Sequence, residues 1–234
     1  GVQTCALPIW KGLTDIEQRY RNRSVDLFSN SESLNTFLNR SKIIASVRKT
    51  LADRHFMEVE TPVLQPIYGG AAARPFKTFH NELGQNLFLR IALELHLKRL
   101  IVGGFEKIFE IGRVFGNEGV SFKHNPEYTL LELYQAYADY SDMMHLTETL
   151  LCDLVKQKTG GSTILNFQGQ EIDFKTPFAR YTMTEALQKW GGITGPVTEE
   201  SLLKRGRELG LEVSEKTPRG ELINVLYEIG RAHV

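Results

Sequence analysis

Glu132 and Tyr134 sit two residues apart in the run Tyr128-Thr-Leu-Leu-Glu-Leu-Tyr134, where period-two alternation puts both on one strand face with Tyr128 and Leu130. An isolated carboxylate among apolar side chains costs several kcal/mol, so Glu132 needs a cation or a donor, and that partner could be a ligand. A satisfied core pair is the plainer alternative. Upstream, Phe109, Ile111, Arg113 and Phe115 share one face of a second alternating run, and a polar, Gly-containing loop with Glu118, His124 and Asn125 joins the two. Such a strand-loop-strand unit suits a nucleotide. Read locally, His124-Asn-Pro126 is only a turn and Glu118-Gly119 a loop tip. Glu94 opens a short apolar-periodic stretch, where a carboxylate also favours the positive end of a helix dipole. Gly70 lies in Gly69-Gly-Ala-Ala-Ala-Arg-Pro-Phe76, a small-residue turn where backbone can approach a ligand closely. Arg74 in that turn fits a local ion pair or a substrate-facing role equally well.

The elements that must position these residues read as follows. Leu34, Phe37, Leu38, Ile44, Val47 and Leu51 recur at three- and four-residue steps and predict an amphipathic helix from Ser31 to about Asp53. Its other face carries Arg40, Lys42, Arg48 and Lys49, which reads as solvated. Phe56 to Leu64 reads as one strand that Pro62 confines to an edge or an end. Leu87 to Ile91 is a short strand, and Glu94 to Val102 a helix stopped by Gly103-Gly104. Asp142 to Lys158 is a second amphipathic helix, with His145 on its surface. Ile164 to Phe174 is a hairpin turning near Gln168-Gly169, and short helices fill Thr182 to Tyr227.

Composition narrows the partners. Lys plus Arg and Asp plus Glu each number 28, so no global positive field points to nucleic acid and any such contact must be local. No apolar run approaches the roughly 20 residues that span a bilayer, and no secretory leader is recognisable, so a cytoplasmic protein without membrane contact is expected. Cys5 and Cys152 have neither metal-ligand spacing nor disulfide logic, so neither zinc nor a bridge is expected.

Over nearly all of residues 10–227 the chain resembles the class II lysyl-tRNA synthetases. The helix with Phe56 to Leu64 is similar to their first motif, much of the dimer interface in that family. Gly69-Gly-Ala-x-Ala-Arg-Pro-Phe76, Leu89-Arg-Ile-Ala-x-Glu-Leu95 and Leu97-Lys-Arg-Leu-x-x-Gly-Gly-Phe105 resemble lysyl-enzyme signatures, and Asn117-Glu-Gly-x-x-x-x-His-Asn-Pro-Glu-Tyr-Thr129 the second motif loop. The resemblance implies an α+β fold, an antiparallel sheet flanked by helices and not a Rossmann fold. It also implies ATP-dependent activation of L-lysine to lysyl-adenylate, transfer to tRNA(Lys), Mg²⁺ on the phosphates, and a homodimer through the first motif. Site roles follow from it. Glu132 and Tyr134 would receive the lysine side-chain ammonium, Glu94 and the Gly70 backbone its α-ammonium, and Glu118, His124, Asn125 and the Tyr128 ring would bind ATP. Arginine would be excluded by shape.

Two departures stand out. The second motif of the family reads Phe-Arg-Asn-Glu, and here it is Phe115-Gly116-Asn117-Glu118, so no catalytic arginine can be assigned. By analogy with an oxyanion donor its loss costs activation about 10²-fold or more. Neither Arg113, on the opposite strand face, nor Lys123, in the loop, is a convincing substitute. Leu93 and His96 also replace a typical proline and tyrosine. In addition, residues 1–9 and 228–234 can be encoded by the two strands of one sequencing adapter, against the alternative of ordinary tails; the encoding DNA decides. The expected organisation is then an adapter-like tail (1–9), a linker from an absent anticodon-binding OB domain ending in a helical turn (10–30), and a catalytic core with motifs 1 and 2 (31–181). The start of a helical insertion (182–227) and a second tail (228–234) complete it. The third motif, with its metal ligands, is expected to be missing and the fragment to be inactive. Alternatives are a lysine-protein ligase, which the bridge-like residues 10–27 disfavour, and a non-catalytic paralogue that binds lysine or a protein, which Gly116 supports.

Overall fold

The computed structural model describes residues 12–121 and 124–232. The first tail with Cys5, the first two linker residues, Lys123 and the last two residues of the second tail lie outside them. The chain divides into two compact units, Gly1–Thr176 and Pro177–Val234.

In the first unit, α1 (Ile16–Arg21) and α2 (Arg23–Ser29) precede the long α3 (Ser31–Asp53). The expected linker is thus two helices, where the sequence reading allowed one turn. The Asp26 carboxylate organises them. It is fully buried and accepts from Arg19 Nε at 2.7 Å, Asn30 Nδ2 at 2.7 Å, Ser33 Oγ at 3.1 Å and Arg23 Nη1. Burial pushes its pKa up, but the bonds from Asn30, Arg19, Ser33 and Arg23 outweigh this and hold the group well below the usual carboxylate range.

The central sheet has the order β1 (Met57–Glu58), β5 (Lys107–Phe115), β6 (Glu127–Gln135). β1 runs parallel to β5, and β5 pairs antiparallel with β6 from Lys107↔Gln135 to Phe115↔Glu127. Alternation gives this sheet two faces. Phe109 buries with Leu51, Phe56 and Leu146 beneath α3 and α5 (Tyr140–Thr159). Ile108 and Val114 bury with Leu93 and Leu97, the latter on α4 (Glu94–Val102). α5 begins with a capping box on Asp139 and ends on a left-handed Gly160, which explains its sharp limits.

A second sheet has the order β2 (Leu64–Gln65), β4 (Gln85–Leu89), β3 (Lys77–His80), all antiparallel. The single strand expected from Phe56 to Leu64 is therefore two short ones in different sheets. Val59 N–H still donates to Phe109 O at 2.9 Å, and the chain then leaves the central sheet before Pro62, which has no N–H to continue a ladder. β3 had no expectation, because all four of its residues are exposed and carry no burial pattern. A hairpin of β7 (Ile164–Phe167) and β8 (Gln170–Asp173) turns through Gln168 and Gly169, both with positive φ, as in a type I′ turn.

The apolar stripe of α3 is only partly used. Leu51 is buried, but Leu34, Phe37 and Leu38 are 43–49% exposed. On its charged side Arg48 pairs with Glu58 at 2.8 Å and Lys49 with Asp53 at 2.6 Å. Cys152 is a buried free thiol, and the His145 side chain is 75% exposed beside Glu148.

The second unit holds α6 (Met183–Lys189), α7 (Glu199–Glu208) and α8 (Arg219–Ala232) around Leu187, Ile193, Leu202, Leu222 and Leu226. Capping boxes on Thr182 and Thr198 start α6 and α7.

Candidate functional site

The residues singled out in the sequence gather on the α4 side of the central sheet. Because Ile108, Glu110, Gly112 and Val114 stand opposite Tyr134, Glu132, Leu130 and Tyr128, these eight share one face. Glu132 is half-buried there. Its Oε1 accepts from the Leu93 N–H at 3.0 Å, just before α4, and its Oε2 from the Tyr134 hydroxyl at 3.3 Å. Among the described residues no lysine, arginine or histidine forms an ion pair with it. Burial, followed by the Glu132 and Glu94 carboxylates, pushes the Tyr134 phenol far above its ordinary range, so it remains a donor.

Glu94, the first residue of α4, is half-buried and accepts from Lys98 Nζ at 2.7 Å. Gly70 abuts it. Gly70 has φ +87°, and a Cβ there would lie 2.8 Å from Glu94 Cβ, so conformation and space both demand glycine. The 69–76 turn also touches the loop after β5: Asn117 N–H donates to Arg74 O at 2.8 Å and Arg74 N–H to Glu118 Oε1 at 3.2 Å. Arg74 thus contributes its backbone, and its side chain is exposed with no ion pair among the described residues. His124 Nδ1 lies 2.8 Å from Ser121 Oγ, and the two residues exchange backbone hydrogen bonds. Glu118, His124 and Asn125 are all exposed, and the Tyr128 ring is 44% exposed on the Glu132 face. The expected lysine-side residues Gly70, Glu94, Glu132 and Tyr134 lie together, with Tyr134 opposite Ile108 near one end of the β5–β6 pair, and the loop residues leave from its other end, beyond Phe115↔Glu127.

Gly116 continues β5, donating its N–H to Pro126 O at 2.9 Å, and nothing lies within 4 Å of a Cβ built on it. By alternation position 116 looks out on the Glu132 face. Arg113 is on the other, opposite Thr129 and 3.5 Å from Glu127, as its parity implied.

Sequence reading missed the most buried polar cluster on this face. Arg90 and Glu110 are each 3% exposed, with Arg90 Nη1 2.6 Å from Glu110 Oε1 and Thr61 Oγ1 donating to Glu110 Oε2 at 2.6 Å. The signal was present, since Glu110 interrupts an apolar alternating run just as Glu132 does. His96, half-buried on α4, has its pKa lowered by burial and by Arg99 and Arg90, against the opposing pull of Glu110.

The chain is similar to known proteins over most of its length. The family profile "tRNA synthetases class II (D, K and N)" matches residues 15–221. The chain is 51% identical over 221 residues to a lysine--tRNA ligase of Syntrophomonas wolfei, covering 94% of this chain and 45% of that protein. Against the lysine--tRNA ligase of Moorella thermoacetica it is 49% identical with the same coverage, and against that of Prochlorococcus marinus 49% identical over 223 residues, 43% of the relative. The chain thus spans under half the length of these curated relatives.

Proposed function

The chain belongs to the class II tRNA synthetases, and on that premise we propose that it carries the lysine- and ATP-binding half of a lysine--tRNA ligase catalytic site. The observation that carries this reading is Glu132: a half-buried carboxylate with a backbone donor and a phenol, and no resident cation among the described residues. A lysine ammonium supplies the missing charge. Ligands lacking it leave the half-buried Glu132 charge without a cation, the arrangement that discriminates most strongly. Glu94 and the Gly70 backbone, brought together by the close packing of that glycine, receive the α-ammonium.

The Tyr128 ring offers an exposed face for adenine, and Glu118, His124 and Asn125 line the loop above it for ATP. The lysine carboxylate attacks the α-phosphate of ATP and expels pyrophosphate to give lysyl-adenylate, which passes its lysyl group to a hydroxyl at the 3′ end of tRNA(Lys) and releases AMP; the chain's own residues serve by holding both reactants in line. At position 116 glycine leaves open space where the family places arginine, so developing negative charge there goes unstabilised and activation is slow. Mg²⁺ accompanies the phosphates in this chemistry. Among the described residues no group of three or more His, Cys, Asp or Glu side chains could hold a metal, so no step here is assigned to one. The half-exposed part of the stripe on α3, Leu34, Phe37 and Leu38, is the surface for a homodimer. No described helix is long and apolar enough to cross a membrane, and a cytoplasmic enzyme fits the reaction. Residues 1–9 and 228–234 are proposed to be adapter-derived, 10–30 a linker from an OB domain, 31–181 the catalytic core and 182–227 the start of a helical insertion.

Calorimetric titration of L-lysine tests the reading, with binding expected for the native chain and loss of about 10²-fold in affinity for Glu132→Gln. Unchanged affinity in that variant contradicts it. The one feature that favours a non-catalytic, lysine-binding paralogue is Gly116. Pyrophosphate exchange in a full-length protein that carries the third motif, before and after Gly116→Arg, separates the two, since a gain supports the ligase and none supports the paralogue.

A further inference from the structure

Glu110 and Glu132 are registered partners across β5 and β6, so their side chains leave the sheet on one face with Cβ atoms roughly 5 Å apart. They are equal in chemistry and unequal in company. Both Glu110 oxygens are taken, one by Arg90 Nη1 and one by Thr61 Oγ1. The Arg90 guanidinium also donates to Arg113 O through Nε at 2.8 Å and to Thr61 O through Nη1 at 3.0 Å. Its Nη2 lies 2.2 Å from where a Cβ on Gly112 would stand. A planar cation belonging to the chain therefore lies over the one strand position without a side chain, on the face that carries Glu132.

We infer that Arg90 is a specificity-determining residue that excludes guanidinium ligands by occupying, with its own guanidinium, the acceptor array on this face that would receive one. The inference rests on the reading of Glu132 as the site of a cationic side chain. A guanidinium is a planar fork that needs several acceptors in fixed directions, whereas an ammonium is a compact point charge. On this face the acceptors in such an array are Glu110 Oε1 and the carbonyls of Thr61 and Arg113, and Arg90 already uses all three. What remains at Glu132 is one carboxylate beside a phenol hydroxyl, which suits a single ammonium. The neutralised Glu110 also keeps a second open carboxylate from competing with Glu132 for the ligand's charge. Removing the Arg90 side chain leaves an acidic slot next to the lysine site, open to a ligand fork.

The experiment compares the native chain, Arg90→Ala and the double variant Arg90→Ala with Glu110→Gln, using L-lysine, L-arginine and methylguanidinium as probes. In Arg90→Ala the arginine-to-lysine affinity ratio is expected to rise about tenfold, and low-millimolar methylguanidinium to raise the melting temperature by roughly 2–4 °C. Neither effect is expected in the native chain, and Glu110→Gln should abolish both. A merely structural role for Arg90 lowers both affinities alike, so an unchanged ratio overturns the inference. Should Arg90→Ala fail to fold, Arg90→Lys carries the ratio test with the same direction and a smaller change, and no change there overturns it equally. A native chain that binds neither amino acid counts against the lysine site itself. The inference is then decided by methylguanidinium alone: a shift in Arg90→Ala that Glu110→Gln removes supports it, and no such shift overturns it.

Discussion

Glu110 and Glu132 face each other on adjacent strands, yet one is closed by its own protein and the other is left open. Glu110, 3% exposed, has an arginine and a threonine on its two oxygens. Glu132, half-buried, has a backbone N–H and a long phenol bond, with no cation among the described residues. The difference separates two uses of one residue type. A carboxylate paired within the fold holds elements in register, here Thr61, Arg90 and β5, whereas one whose cation is withheld is poised for a ligand.

Breaking the closed side should have the largest effect on stability. Arg90→Met leaves Glu110 buried without its cation and is expected to cost about 3–5 kcal/mol in chemical denaturation, whereas Glu132→Gln should cost under about 1 kcal/mol. For lysine affinity Glu132→Gln should be severe. A variant pair in which Glu132→Gln is the more destabilising would invert the comparison. Glycines on the same strand sharpen it at intermediate size. Gly112→Ala sets a methyl against Arg90 Nη2, 2.2 Å from the ideal Cβ, and overpacking of this kind costs roughly 1–3 kcal/mol. Gly116→Ala meets nothing within 4 Å and should stay within about 0.5 kcal/mol; equal costs would mean that the interior of β5 and the position just past its end are packed alike.

Titration gives the smallest effects. Tyr134, raised by burial and by two carboxylates, favours its protonated form in the folded state. Its contribution is therefore complete below the ordinary phenol pKa of 10.0 and is lost as pH rises beyond it. Stability followed above pH 10.0 should fall less steeply in Tyr134→Phe than in the native chain. Asp26 has the opposite sign. Its lowered pKa stabilises the fold above the ordinary value of 3.8, and that support is lost as pH falls below it. Acid melts of Asp26→Asn should show a weaker pH dependence there.

Much of this was legible in the sequence because it is local. The alternation of β5 and β6, the glycine stops of α4 and α5, and the Gln168-Gly169 turn all act within a few residues. The class II family and its α+β fold were legible through ordered motifs, and the sheets and helices agree with them. The segment from Phe56 to Leu64 was not, because its transfer between two sheets depends on where Phe109 and Leu89 stand, far along the chain. The Arg90–Glu110 pair was equally hidden: twenty residues separate its members, and only the fold brings them together. Glu110 interrupts an apolar run just as Glu132 does, but sequence alone could not say which carboxylate had its cation supplied from within.

The central claim is that Glu132 awaits a ligand's ammonium, and parallel calorimetric titrations of L-lysine and L-norleucine into the native chain test it most directly. The two ligands match in length and differ in the terminal charge. The account predicts that lysine binds at least about 10²-fold more tightly than norleucine and that Glu132→Gln erases the difference. Equal affinity for both ligands in the native chain, or a preference for lysine that survives Glu132→Gln, would contradict it.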